Sequence, residues 1–115
     1  MAEITLYGLK SCDTCKKAQK ALAAAGHDVA FVDVRAEADL AAKLPQWLAA
    51  AGADALVNTR STTWRGLPEA ERARAQSDPK GLLADHPALI KRPVIERGGE
   101  VSVGWTRDVQ AGYGV

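Results

Sequence analysis

In EITLY at residues 3–7, Ile4 and Leu6 fall on one side of an alternating pattern that Gly8 interrupts, which predicts a first strand at about residues 3 to 7. After a loop through Ser11, Ala18, Ala21, Leu22 and Ala25 recur at helical spacing while Lys16, Lys17, Gln19 and Lys20 fall elsewhere. With Gly26 as a stop, the spacing predicts a helix over about residues 13 to 25. VAFVDV at 29–34 is β-branched and too short for a helix, so a second strand is expected beside the first, parallel to it by a right-handed crossover. LPQWLAAAG carries a second helix ended by Gly52, and Pro45 requires that helix to begin within a turn before it. In the stretch from Asn58 to Pro87, Pro68 and Pro79 stand at first-turn positions, Asp78 serves as a cap, and short helical patterns lie between them. After Pro93, two short runs are split by Gly98 and Gly99, a hairpin signal because both glycines tolerate positive φ. A last short helix is expected from about Thr106 to Ala111. The order predicts an α/β fold: a mixed four-stranded sheet with a helical insertion at about 38–90, between the βαβ unit and the C-terminal hairpin and helix.

Length and composition narrow this picture. At 115 residues the expectation is one domain spanning 1–115 with a single core. Fifteen Lys and Arg stand against fourteen Asp and Glu, a net charge of +1, so neither direct nucleic-acid binding nor attraction to an anionic membrane is expected. No apolar stretch approaches the roughly 18 residues of a membrane span, and the N-terminus lacks the basic and apolar regions of a secretory signal. A cytoplasmic location follows as an expectation. Two closely spaced cysteines in such a chain point to catalytic, sensing or metal-binding thiols, not to a structural disulfide.

Both cysteines lie in GLKSCDTCKKAQKAL, residues 8–22. Cys12 and Cys15 are one helical turn apart on one face, close enough for a reversible bridge. Cys12 opens the helix, where unpaired N–H groups favour a thiolate; Lys10 and Lys16 add positive charge and Asp13 opposes it. Cys15, one turn further in, is either a resolving thiol or a buried, inert one. Structural zinc needs two more ligands, and His27 and His86 lie singly, without ligand spacing, so no metal is expected. The plain alternative is two small residues packed in a core without chemistry.

Three segments in order, YGLKSCDTCKKA, ALVNTRSTTWRGL and HPALIKRPVI, together resemble the ArsC-like branch of the thioredoxin fold, above all its small YffB-like proteins, grouped with the Spx/MgsR proteins. The resemblance covers nearly the whole chain. It implies a thioredoxin-like sheet, Cys12 as nucleophile, and Pro93 as a cis-proline facing Cys12, although the sequence alone equally allows an ordinary strand-opening proline. As an enzyme it implies a thiol–disulfide oxidoreductase with no bound cofactor, glutathione as co-substrate, and a protein disulfide or glutaredoxin as partner, or alternatively an arsenate reductase coupled to glutathione and glutaredoxin. Arsenate reductases of this branch ring the cysteine with arginines. Arg92 matches one of them, and a guanidinium beside a thiolate suits an oxyanion or a glutathione carboxylate; an exposed, solvated arginine is the alternative. Asn58 falls where a second would be, with Arg60 two positions later; Gly104 falls near the third, with Arg107 further on. That loss weighs against a tetrahedral-anion site, because each charge-assisted donor is worth roughly 1.5 to 3 kcal/mol. Cys15 tilts the same way, since the redox-switching Spx-type proteins carry CxxC and the arsenate reductases usually do not. Lys10, Ser11, Asp13, Asn58, Arg60, Trp64 and Pro93 are the expected substrate-binding positions, with Trp64 either lining a groove beside Arg65 or packed as core. The Spx likeness also implies a non-enzymatic alternative: a redox-controlled module that binds the C-terminal domain of the RNA polymerase α subunit.

Overall fold

A computed structural model describes residues 3–115. In chain order the elements are β1 (Ile4–Gly8), α1 (Asp13–Ala24), β2 (Val29–Asp33), α2 (Leu40–Ala51), α3 (Ala53–Leu56), α4 (Thr62–Arg65), α5 (Glu69–Ser77), α6 (Pro79–Asp85), a 3-10 turn (Pro87–Leu89), β3 (Val94–Arg97), β4 (Glu100–Val103) and α7 (Arg107–Gly112). They fall into two units, one made of the residues up to Ala38 together with Arg92–Val115, the other of Asp39–Lys91.

The first unit is a mixed sheet of strand order β2-β1-β3-β4, the thioredoxin-like arrangement that the sequence led us to expect. β1 and β2 run parallel with Gly8 opposite Asp33; β1 and β3 run antiparallel with Tyr7 opposite Val94. Cys15, Ala18 and Leu22 form the buried stripe of α1 and pack with Ile4, Leu6 and Ile95 from the sheet. This is the three- and four-residue spacing of a helix laid on alternate residues of strands. Gly98 and Gly99, at φ 55° and 91°, make the turn between β3 and β4 that the glycine pair predicts.

One correction concerns Gly8. It does not break the strand but ends it in register, because Cys15 packs over that residue: a Cβ there would stand 2.5 Å from Cys15 Sγ. A lone glycine in a strand pattern marks such a close approach as readily as a break.

In the second unit Asp39 caps α2, its Oδ1 accepting from Ala42 N–H. α2 begins at Leu40, so Pro45 sits inside the helix, more than a turn past its start, and not within the first turn as expected. The proline removes one backbone donor, and the burial of Leu44 and Trp47 on either side of it offsets that cost. Asp78 caps α6 as predicted, accepting from Gly81 N–H, with Pro79 at the first helical position. Val57 and Ile90 form an antiparallel bridge that ties the loop after α3 to the end of the 3-10 turn.

His27, beyond the end of α1, holds the C-terminal segment to the start of β1. Its Nε2 faces the Tyr113 carbonyl oxygen at 3.0 Å and its Nδ1 faces Glu3 Oε1 at 3.1 Å. Both partners only accept, so both contacts are satisfied together only by the doubly protonated ring. The Tyr113 carbonyl and then the Glu3 carboxylate accordingly raise the His27 pKa above 6.5, and the pairing with His27 lowers that of Glu3 below 4.5. A folded-state pKa raised above the unfolded one gives stability that is fully present below about 6.5 and is lost as pH rises through the folded value. The Glu3 contribution is present above about 4.5 and is lost as pH falls through its lowered value. Thermal melts between pH 6 and 8.5 should show the Tm falling, and the fall should be shallower in His27→Gln.

Candidate thiol site

Cys12 stands at the N-cap of α1, partly exposed, with φ −86° and ψ 116°; its N–H donates to the Leu9 carbonyl at 3.0 Å and its carbonyl accepts from Lys16 N–H at 3.0 Å. Cys15 is 0% exposed. Both are free thiols. Burial alone would push the Cys12 thiol up. The Cys15 N–H, the Cys15 thiol and the Arg92 guanidinium outweigh it and hold Cys12 below the ordinary value of 9.0. The Cys12 side chain makes no capping hydrogen bond, so the Cys15 N–H acts on the sulfur as one of the unpaired dipoles of the first turn. Cys15 behaves oppositely: burial first, then the neighbouring Cys12 sulfur, push it up to about 11. One face of one helical turn thus carries an accessible sulfur poised towards thiolate and a buried one held as thiol.

Arg92 comes from the other end of the sequence. The antiparallel register that sets Tyr7 against Val94 brings Arg92 and Pro93 to the carboxy end of β1, where the loop to α1 begins. Arg92 is half-buried with its Nε sealed from solvent, so the exposed-arginine alternative does not describe it. The Arg92–Pro93 peptide is cis and Pro93 is buried, its carbonyl accepting from the Gly104 N–H at 2.8 Å. Gly104 is itself buried at φ 84°, and Arg107 lies exposed at the start of α7.

Lys10 and Ser11 are exposed and line a hollow of about 550 Å³ with Leu9, Asp33, Arg35 and Ala36; Asp13 is exposed on the first turn of α1. The remaining positions belong to the second unit. Asn58 turns inward on its own backbone, Oδ1 accepting from Arg60 N–H at 3.1 Å, while its N–H donates to the Leu89 carbonyl at 2.7 Å. Arg60 is exposed, and its carbonyl accepts from Arg65. Trp64, half-buried, lines a hollow of about 330 Å³ with Val57, Thr59 and Arg72. Of the two histidines, His27 is taken by Glu3 and Tyr113 and His86 faces Glu71 at 3.2 Å. Gly8, read in the sequence only as a strand interruption, is the residue on which Cys15 packs. Arg35 went unremarked and carried no local signal, since only the β1–β2 pairing sets it beside Lys10.

A four-stranded thioredoxin-like sheet with a partly exposed cysteine at the start of its first helix, its thiol lowered beside Arg92, defines the class: a thiol-based redox protein. The model of the ArsC family matches residues 7–111, and the chain belongs to that family. Its relatives include an uncharacterized protein of Haemophilus influenzae, 39% identical over 112 residues that cover 96% of this chain and 98% of that one. The global transcriptional regulator Spx of Bacillus subtilis is 29% identical over 109 residues, covering 91% and 82%. Among solved structures, the YFFB protein is similar at a TM-score of 0.85 and 36% identity, covering 96% of this chain and 97% of that one. An arsenate reductase related protein from Brucella melitensis is similar at a TM-score of 0.77 and 35% identity, covering 100% and 97%. Among the described residues no helix is long and apolar enough to cross a membrane.

Proposed function

We propose that the protein is a cytoplasmic, glutathione-dependent thiol–disulfide oxidoreductase with Cys12 as its nucleophile. The observation that carries this reading is the contrast between the two thiols: Cys12 accessible and lowered beside Arg92, Cys15 buried and raised to about 11. The Cys12 thiolate attacks the glutathionyl sulfur of a mixed disulfide R–S–S–G; the Cys12–glutathione bond forms, and R–S⁻ leaves and takes a proton from water. A second glutathione thiolate then attacks the glutathionyl sulfur, restoring Cys12 and releasing oxidised glutathione. Each turnover converts R–S–S–G and one glutathione into R–SH and oxidised glutathione. Cys15 is the slower resolver, since a thiol near 11 is almost wholly protonated at pH 7. Once Cys12 is bonded its charge is gone, and with it part of what raises Cys15, so a Cys12–Cys15 bridge is the fallback when glutathione is scarce. No bound cofactor is needed, and glutaredoxin or a protein disulfide suits the same chemistry.

A glutathione redox titration with mass spectrometry tests this. A reversible glutathione adduct on Cys12 supports it, and two thiols that stay unmodified throughout overturn it. Arg92 supplies a further check. Replacing it by glutamine removes a cation and a donor that favour the thiolate, so the pH profile of Cys12 alkylation should move towards higher pH. The rate at pH 7 should then fall roughly tenfold, as for loss of one charge-assisted interaction.

The 29% identity to Spx favours a second reading, a redox-controlled binding module for the C-terminal domain of the RNA polymerase α subunit. Pull-down of the polymerase only by the oxidised form, without glutathione turnover, would establish it. Arsenate reduction has less support: of the three arginine positions the family resemblance implies, only that of Arg92 is filled, and Asn58 is engaged with its own turn.

A further inference from the structure

The carboxy end of β1 is flanked on both sides. On the β3 side stands Arg92, two residues before Val94, which pairs with Tyr7. On the β2 side Asp33 pairs with Gly8, and the Val34 N–H donates to the Gly8 carbonyl at 2.9 Å. The chain after β2 therefore lies against the loop that leads into Cys12, and the two enclose the hollow lined by Leu9, Lys10, Ser11, Asp33, Arg35 and Ala36.

Two cations and one anion line that hollow, and the Asp33 carboxylate stays charged, held below its ordinary value by the Ala36 and Arg35 N–H groups and then by the charges of Arg35 and Lys10. Asp33 Oδ1 accepts from the N–H groups of Arg35 at 2.8 Å and Ala36 at 2.9 Å, a compact turn that fixes the backbone carrying Arg35. Among the described residues no direct ion pair claims Lys10 or Arg35. The hollow keeps a net positive charge, with Ser11 in its lining and an open volume of about 550 Å³. The hollow adjoins the loop that leads into Cys12 and attracts an anion; the anion that a peptide thiol has to offer there is a carboxylate, as in glutathione or an acidic residue beside a cysteine.

We infer that the Lys10–Arg35 hollow is a carboxylate subsite, which holds an acidic group of the peptide thiol bonded to Cys12 on the side away from Arg92. Arg35 is its specificity-determining residue, and the inference rests on the thiol–disulfide reading above. Glutathione, with a carboxylate at each end and its cysteine between, could engage Arg92 and Arg35 together. An acidic residue beside the cysteine of a protein disulfide carries the same chemistry.

The test is the rate of mixed-disulfide formation on Cys12 in the full chain, followed by acid quench and mass spectrometry. The probes are oxidised glutathione, the same disulfide esterified at its glycyl carboxylates, a disulfide-linked peptide with aspartate next to its cysteine, and cationic cystamine. Wild type should favour an anionic probe over the esterified one by about fivefold, a preference that shrinks as salt is raised. Arg35→Gln should bring that ratio near one, Lys10→Gln should lower it, and Arg35→Glu should turn the preference towards cystamine. A damaged fold would slow all probes together and leave the ratios alone. An Arg35 dependence with oxidised glutathione identifies glutathione as the source of the carboxylate; one with the aspartyl peptide alone identifies a protein. If Cys12 reacts with every probe and the ratios ignore Arg35 and Lys10, the subsite is overturned and the oxidoreductase reading survives. If Cys12 reacts with none, both fall.

Discussion

Cys12→Ser should lower glutathione-dependent disulfide reduction by at least about a thousandfold, whereas Cys15→Ala should retain a measurable fraction of it. The asymmetry follows from the states of the two sulfurs. Cys12 is accessible, sits at the helix start and is held below 9.0 by the Cys15 N–H, the Cys15 thiol and Arg92. A serine hydroxyl in that place cannot ionise near neutral pH, so the nucleophile itself is lost and not merely weakened. Cys15 contributes only part of what lowers Cys12, and its own sulfur is inaccessible until the chain shifts. Removing it should displace the alkylation profile of Cys12 upward in pH while turnover persists through glutathione. Equal loss in both variants would show that the two sulfurs act as one unit and would discard the assignment of roles.

Gly8→Ala should destabilise the fold by about 1–3 kcal/mol, although Gly8 is not among the positive-φ glycines and alanine suits a strand. The cost is steric. The new methyl would stand 2.5 Å from Cys15 Sγ, 3.1 Å from Cys15 Cβ and 3.4 Å from Leu6 Cδ2, in a layer where Cys15 and Leu6 are fully buried. The end of the Cys15 side chain has to move, and the thiol that favours the Cys12 thiolate moves with it. Denaturant unfolding should show a lower midpoint at unchanged slope, and Cys12 alkylation should shift to higher pH. In a Cys15→Ala background the sulfur is absent, so the same substitution should cost less; a full cost there would place the strain in the backbone and not at the Gly8–Cys15 contact.

Local pattern carried most of the architecture. Alternation in EITLY, helical spacing after Cys12, paired glycines at 98 and 99 and the Asp78–Pro79 cap each report on residues close in sequence. Each appears as an element within a residue or two of where the pattern sets it. Pro45 and Gly8 were misjudged for a common reason. Their intrinsic conformational preferences were outvoted by what their neighbours bury, Leu44 and Trp47 for the proline and Cys15 for the glycine. The arrangement around Cys12 was legible only in part. CxxC at a helix start is visible in the chain, but the family resemblance, not any periodicity, pointed to Arg92 and to a cis Pro93.

By itself, then, the sequence determined the order and kind of the elements, the shared helical face of Cys12 and Cys15, and a net charge close to zero, because all of these depend on spacing or on simple sums of charge. Only the tertiary structure decided that one of those thiols is buried and the other poised, that Arg92 stands beside a cysteine 80 positions away, and that Arg35 shares a hollow with Lys10. Ionisation and binding depend on distance through space, and in this chain those distances are set by two strand pairings, β1 with β2 and β1 with β3, whose registers no local pattern records.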